Sequence, residues 1–167
     1  MARPRWLSNQ LLAGIAVALL ACVLMALWKA QGAWVRLPAA VLVHLAGMLL
    51  VLALTPLMLL ARKGTMQHRL LGRLWALLMF GAAVHSLFFA TQNLGPGHFG
   101  VFTGDLSPIH ALSIFVALMV PRAVRLARQR QIARHESAIR GLVIGALGVA
   151  GLFTFLPGRT LGRWFLG

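Results

Sequence analysis

Six histidines, His44, His68, His85, His98, His110 and His135, stand in a chain that has only two acidic residues. Imidazole is a ligand for metals, haem iron included, and a proton carrier near neutral pH. Their spacing sorts them. His44 and His68 lie 24 residues apart, and His110 and His135 lie 25 apart. Each interval contains one proline, Pro56 or Pro121, and then a basic stretch. VHLAGMLLVLALTPLMLLARKGTMQHR and IHALSIFVALMVPRAVRLARQRQIARHES therefore follow one plan: histidine, apolar helix, proline, basic loop, histidine. This predicts a duplicated helix pair, both copies inserted in the same orientation. A helix of about 24 residues rises roughly 36 Å at 1.5 Å per residue, so the two histidines of a unit belong near opposite membrane faces. A pseudo-twofold axis along the membrane normal would set His44 against His110 on the outer side and His68 against His135 on the inner side. Imidazoles paired across a helical bundle are what axial ligation of a b-type haem requires. The expected cofactor is one or two haem b groups, their iron held by His44, His110, His68 and His135. Covalent attachment is excluded, because there is no C-x-x-C-H. The expected function is transmembrane electron transfer by a cytochrome b-like protein. The competing expectation is a cofactor-free transporter or assembly protein whose histidines are proton or metal sites.

Other residues have supporting roles in this scheme. His85 has no counterpart in the second unit; it either supports a ligand or competes with His44 for the outer site. Lys63, Arg69 and Arg73, in KGTMQHRLLGR, surround the inner pair together with Arg62, Arg134 and Arg140. They could hold haem propionates or an anionic electron donor by charge-assisted hydrogen bonds. Gly47, Gly72, Gly81, Gly141, Gly145 and Gly148 are expected to smooth helix faces, for close helix approach or for a flat macrocycle. His98 is expected in a solvated Gly/Pro-rich loop and Asp105 near a helix start. Each feature also has a plainer explanation. Interfacial histidines often bond only water or headgroups, basic loops orient the chain, and glycines in membrane helices pack.

The elements that must carry these residues follow from composition. Of 167 residues, 60% are hydrophobic, and mean hydropathy is +0.84. A soluble domain has roughly 45–50% apolar residues. The apolar runs Leu11–Trp28, Leu37–Ala61, Leu70–Ala90, Pro108–Leu126 and Ala138–Leu156 are each near the ~20 residues that cross a bilayer as a helix. The expected fold is an all-α integral membrane protein of five transmembrane helices. Helices two to five form a four-helix bundle from the duplicated pair (residues 37–167), and residues 1–36 supply an anchor helix and outer loop. With the N-terminus inside, twelve Lys and Arg fall on the cytoplasmic side and four outside. That bias predicts a cytoplasmic N-terminus and a periplasmic C-terminus in a bacterial inner membrane. Leu19-Leu20-Ala21-Cys22 looks like a lipoprotein cleavage box, but the apolar run continues past it, so a retained anchor is expected. Ser107-Pro108 reads as a helix start, Pro38 likewise, and LPGR from Leu156 as the end of the last span.

The same composition excludes several classes. A net charge of +14 placed between apolar runs indicates topology and anionic lipid rather than nucleic acid. One cysteine, Cys22, makes no disulfide framework. No triad, HExxH or acidic pair suggests a hydrolase. The expected partners are membrane lipid and a small-molecule or quinol electron donor or acceptor.

The residues His44-Leu-Ala-Gly-Met, Arg62-Lys-Gly with His68-Arg and Gly72-Arg, Ser107-Pro-Ile-His110, His135, and Phe155-Leu-Pro-Gly-Arg159 together resemble a bacterial membrane family, domain of unknown function 2306, over about residues 38–165. That resemblance implies a membrane fold and no particular activity. More distantly, the layout is similar to transmembrane cytochromes of the b-561 type. There, four consecutive helices each give one haem ligand, the first paired with the third and the second with the fourth. The resemblance implies pairing of His44 with His110 and of His68 with His135, and electron transfer from ascorbate or a quinol.

Overall fold

The computed structural model describes residues 8–88, 108–156 and 159–166. Among these, all regular structure is helical. Helix α1 (Asn9–Lys29) starts at Ser8, whose hydroxyl accepts the Leu11 amide at 3.1 Å. Gln31 and Gly32, both at positive φ, reverse the chain, and a 3₁₀ turn over Ala33–Arg36 leads into α2 (Ala39–Leu60). Pro38 occupies the cap position just before α2 rather than its first turn. Helix α3 (Met66–Ser86) follows a tight turn containing Gly64 at φ 80°. Thr65 caps it by accepting the His68 amide. Helix α4 (Pro108–Arg128) begins where Pro108 predicts, whereas Ser107, His98 and Asp105 lie outside the described residues. Helix α5 (Ile132–Leu142) continues through a π-helical stretch, Val143–Val149, into α6 (Ala150–Thr154). Helix α7 (Thr160–Leu166) ends the described chain.

Four helical runs are long and apolar enough to cross a membrane: Asn9–Lys29, Ala39–Leu60, Ile109–Arg128 and Ile132–Thr154. Helix α3 is of similar length but is not among them. It begins at Met66 rather than Leu70, which brings Gln67, His68 and Arg69 into the helix along with Arg73. Side chains such as Leu77, Leu118, Val43 and Leu152 are 65–70% exposed on the bundle exterior. A water-soluble protein does not expose apolar surface so widely, whereas lipid covers it without penalty. The chain is an all-helical protein with the character of a multi-pass membrane protein.

Consecutive helices are neighbours: α1 packs on α2, α2 on α3, α3 on α4, and α4 on α5. Short connections make antiparallel neighbours the natural result. Helix α1 also packs on the π-helical stretch and on α7, so it closes the assembly between α2 and the fifth helical run. Its Leu12, Ala13, Ala16, Leu19, Val23 and Ala26 are buried in the common core. The segment read from sequence as an anchor is therefore a core element. Leu19 comes so near Gly151 that an added Cβ there would lie 3.1 Å from it.

Candidate functional site

The α2–α3 and α4–α5 turns define one end of the molecule, called here the turn end. Histidines occur at this end and at the opposite one, in very different company. His68 and His135 lie in the first turns of α3 and α5. His68 Nδ1 donates to the Met58 carbonyl at 3.2 Å, and His135 Nδ1 donates to the Ala123 carbonyl at 2.9 Å. A carbonyl only accepts, so Nδ1 carries the proton in both rings and Nε2 is left as the basic nitrogen. Each accepting carbonyl stands two residues beyond the proline of its helix, Pro56 in α2 and Pro121 in α4. Each imidazole thus ties the start of one helix to the end of the preceding one.

The same end gathers several further polar contacts among the described residues. The Asn9 amide donates to the Leu59 carbonyl at 3.2 Å, and its oxygen accepts Arg140 Nη2 at 3.1 Å, joining α1, α2 and α5. Arg140 Nε is buried without a partner. Lys63 pairs with Glu136, linking the first turn to the fifth helical run. Arg69 and Arg73, expected near the inner ligands, are exposed. Arg130 takes the left-handed conformation after α4, and Gln131 N–H returns to the Leu126 carbonyl at 2.9 Å, the pattern that usually uses glycine.

At the opposite end, His44 of α2 faces His85 of α3. Their ring centroids are 6.2 Å apart and the planes are inclined by 39°. The His44 side chain also lies against the Ala82 backbone. His44 forms part of the wall of a partly open cavity of about 80 Å³ between α2, α3, α4 and the fifth helical run (α5 through α6). The π-helical stretch contributes here: its bond from the Ala150 amide to the Gly145 carbonyl widens the turn, and Ala146 and Ala150 line the cavity. The Ser86 hydroxyl meets the Ser113 hydroxyl at 2.7 Å on the same wall. No family model, curated protein or solved structure matches the chain. Its function must therefore be argued from this geometry.

His110 is 1% exposed in α4, but the cavity wall is made by its neighbours Ile109, Leu112 and Ser113 rather than by His110. The His44–His85 ring contact lies within the α2–α3 hairpin. A cavity of about 80 Å³ is far below the roughly 300–1,000 Å³ that holds a sizeable organic ligand. A porphyrin would have to extend beyond this partly open cleft. The glycines expected to cradle one do not line the cavity, and a Cβ added at Gly47, Gly72, Gly81 or Gly141 would meet nothing within 4 Å. These glycines therefore serve no close helix contact among the described residues either.

Sequence reasoning passed over two buried polar contacts. Trp75 Nε1 donates to Thr55 Oγ1 at 2.9 Å, and Thr55 Oγ1 donates to the Val51 carbonyl at 2.7 Å. Both side chains are fully buried. The other is the Ser86–Ser113 contact. The available signal was positional: from the Thr55–Trp75 contact, His44 lies eleven residues back along α2 and His85 ten residues on along α3.

Proposed function

We propose that the protein is a five-span membrane protein that binds a transition-metal ion through His44 and His85, near the end of the bundle away from the turns, for transport or metal delivery. The carrying observation is the 6.2 Å separation of the two rings beside a small cavity. A metal held by one nitrogen of each ring at about 2.0–2.1 Å puts the ring centroids at most roughly 6.4 Å apart. Imidazole suits zinc, copper, iron and nickel, whereas hard cations prefer carboxylate oxygens. Among the described residues the only acid is Glu136, at the turn end. Two imidazoles alone would leave the remaining coordination positions of a transition-metal ion to other ligands.

In this reading α3 is the fifth span: its exposed Gln67, Arg69 and Arg73 stand in its first two turns, at the turn end, where long basic side chains reach the membrane interface, and Trp75, Met79, Ala82 and Ala83 are buried against its neighbours. The basic turn end faces the cytoplasm of a bacterial inner membrane, and the His44–His85 end faces outward. A duplicated hairpin underlies the bundle. Trp75 and Leu142, each seven residues beyond its histidine, are both fully buried, and Ala83 and Ala150, each fifteen beyond, both line the cavity. The matching His68 and His135 bonds support the same repeat.

A second reading is favoured by the turn end. With Nδ1 donating to a carbonyl, His68 and His135 both present the tautomer that a metal takes through Nε2. A single haem b there would draw its propionates to the surrounding arginines, as the similarity to b-561-type cytochromes implies, and would supply one-electron chemistry. Pyridine haemochrome and metal analysis of protein purified from haem-replete cells separate the two. The metal reading expects no haem, and uptake of Co(II) or Zn(II) that is lost in His44→Ala and His85→Ala. One haem per chain, lost in His68→Ala or His135→Ala, overturns it in favour of the second reading.

A further inference from the structure

His44 shares the cavity wall with two other soft donors. Met48 follows it by one turn on α2, and Met79 of α3 is 2% exposed and lines the same space. Met48 lies four residues from His44 along α2, and Met79 lies six residues from His85 along α3, both toward the turn end. The hairpin therefore carries imidazoles first and thioethers roughly 6–9 Å deeper, at 1.5 Å per residue. The remainder of the wall is apolar or hydroxyl-bearing, and it contains no carboxylate. A volume of about 80 Å³ suits a bare ion or two or three waters, given roughly 30 Å³ per water.

Donor type then selects the ion. Thioether sulfur binds Ca(II) and Mg(II) poorly and selects soft ions, Cu(I) foremost. A monovalent ion also loses less hydration energy on entering an apolar bundle than a divalent one. We propose that this cavity is a Cu(I) site, in which His44 and the thioethers of Met48 and Met79 hold the ion and His85 stands beside His44 to pass it in or out. The inference rests on the imidazole-pair reading and deepens it by naming the substrate class. Only binding is involved, so no electron donor is needed. Methionine also fills gaps in ordinary cores, and the test separates that role from ligation.

Wild-type protein and the Met48→Leu/Met79→Leu, His44→Ala and His85→Ala variants are purified in detergent. Each is titrated with Cu(I) against a chromogenic chelator, with Ag(I) as a redox-inert probe, and with Co(II). Leucine preserves volume, so the double variant should keep its fold. The expected result is one Cu(I) or Ag(I) per wild-type chain, with sulfur and nitrogen both seen by X-ray absorption. The methionine double variant loses the sulfur signal and about tenfold or more in Cu(I) affinity, and far less for Co(II). Wild-type Cu(I) affinity in that variant, or no Cu(I) uptake by wild-type protein, overturns the inference. If Co(II) binding still falls in His44→Ala and His85→Ala, the imidazole-pair reading survives; if those variants also bind as wild type, both fall.

Discussion

The two ends of this bundle place the same side chain in opposite settings. At the turn end, His68 and His135 each bond a main-chain carbonyl of the preceding helix. At the other end, His44 and His85 face one another beside a cavity. A ring engaged with a carbonyl in its own hairpin contributes to architecture. Two rings converging in mainly apolar surroundings contribute little packing that leucine would not supply better, and polar groups within a span tend to persist for function. The difference arises from what each helix presents at that level: a carbonyl near the end of a proline-containing helix in one case, a second imidazole in the other.

The sharpest way to break this contrast is to exchange the losses. His44→Ala should lower divalent-metal affinity by about 100-fold, or roughly 2.7 kcal/mol, with little change in resistance to SDS unfolding. His135→Ala should do the reverse. Metal titration and SDS unfolding of both variants check the pair, and equal metal affinity in the two proteins would erase the distinction between the ends.

Much of the fold is legible in the sequence because the bilayer constrains it so tightly. Backbone groups in hydrocarbon must bond internally, and a span needs about 20 residues, so the long apolar runs become helices with ends near their prolines and caps. Helix α3 is the informative exception. Its charged and polar start extends a helix that hydropathy alone would begin at Leu70, since Thr65 caps it further upstream. The site was less legible. Repeat spacing pairs His44 with His110, whereas the His44–His85 ring contact depends on the register of the α2–α3 hairpin, which spacing alone does not carry. Met48 and Met79 carry no signal of their own, because methionine in an apolar run is indistinguishable from packing until a cavity gives it a wall to line.

Stability variants sharpen the middle ground between the ends. Thr55→Val keeps the shape of the side chain but strands the Trp75 indole N–H in a fully buried position. An unmet buried donor costs about 1–3 kcal/mol, so this variant should be the most destabilised of the set, and Thr55→Ser should recover most of the loss. The His68→Ala and His135→Ala variants forfeit bonds at partly buried positions, for which about 0.5–1.5 kcal/mol each is expected. Reversible unfolding in mixed micelles measures all four. Comparable losses at His68 and His135 would support a common origin for the two hairpins, whereas a loss at one alone would argue that the matching bonds are coincidental.

The smallest effect belongs to the ion pair between Lys63 and Glu136. It is the one charged contact among the described residues that joins the first turn to the fifth helical run. Lys63 is nearly half exposed, so water screens the pair and its long side chain loses entropy when held. A double-mutant cycle with Lys63→Ala and Glu136→Gln should therefore give a coupling of no more than about 1 kcal/mol, weakened further by salt. A much larger coupling would mean that the turn end locks the two hairpins together. Metal affinity at His44 should stay unchanged in the same cycle, since the pair lies at the far end of the bundle. A change there would show that the ends communicate, and the contrast between them would become a linkage.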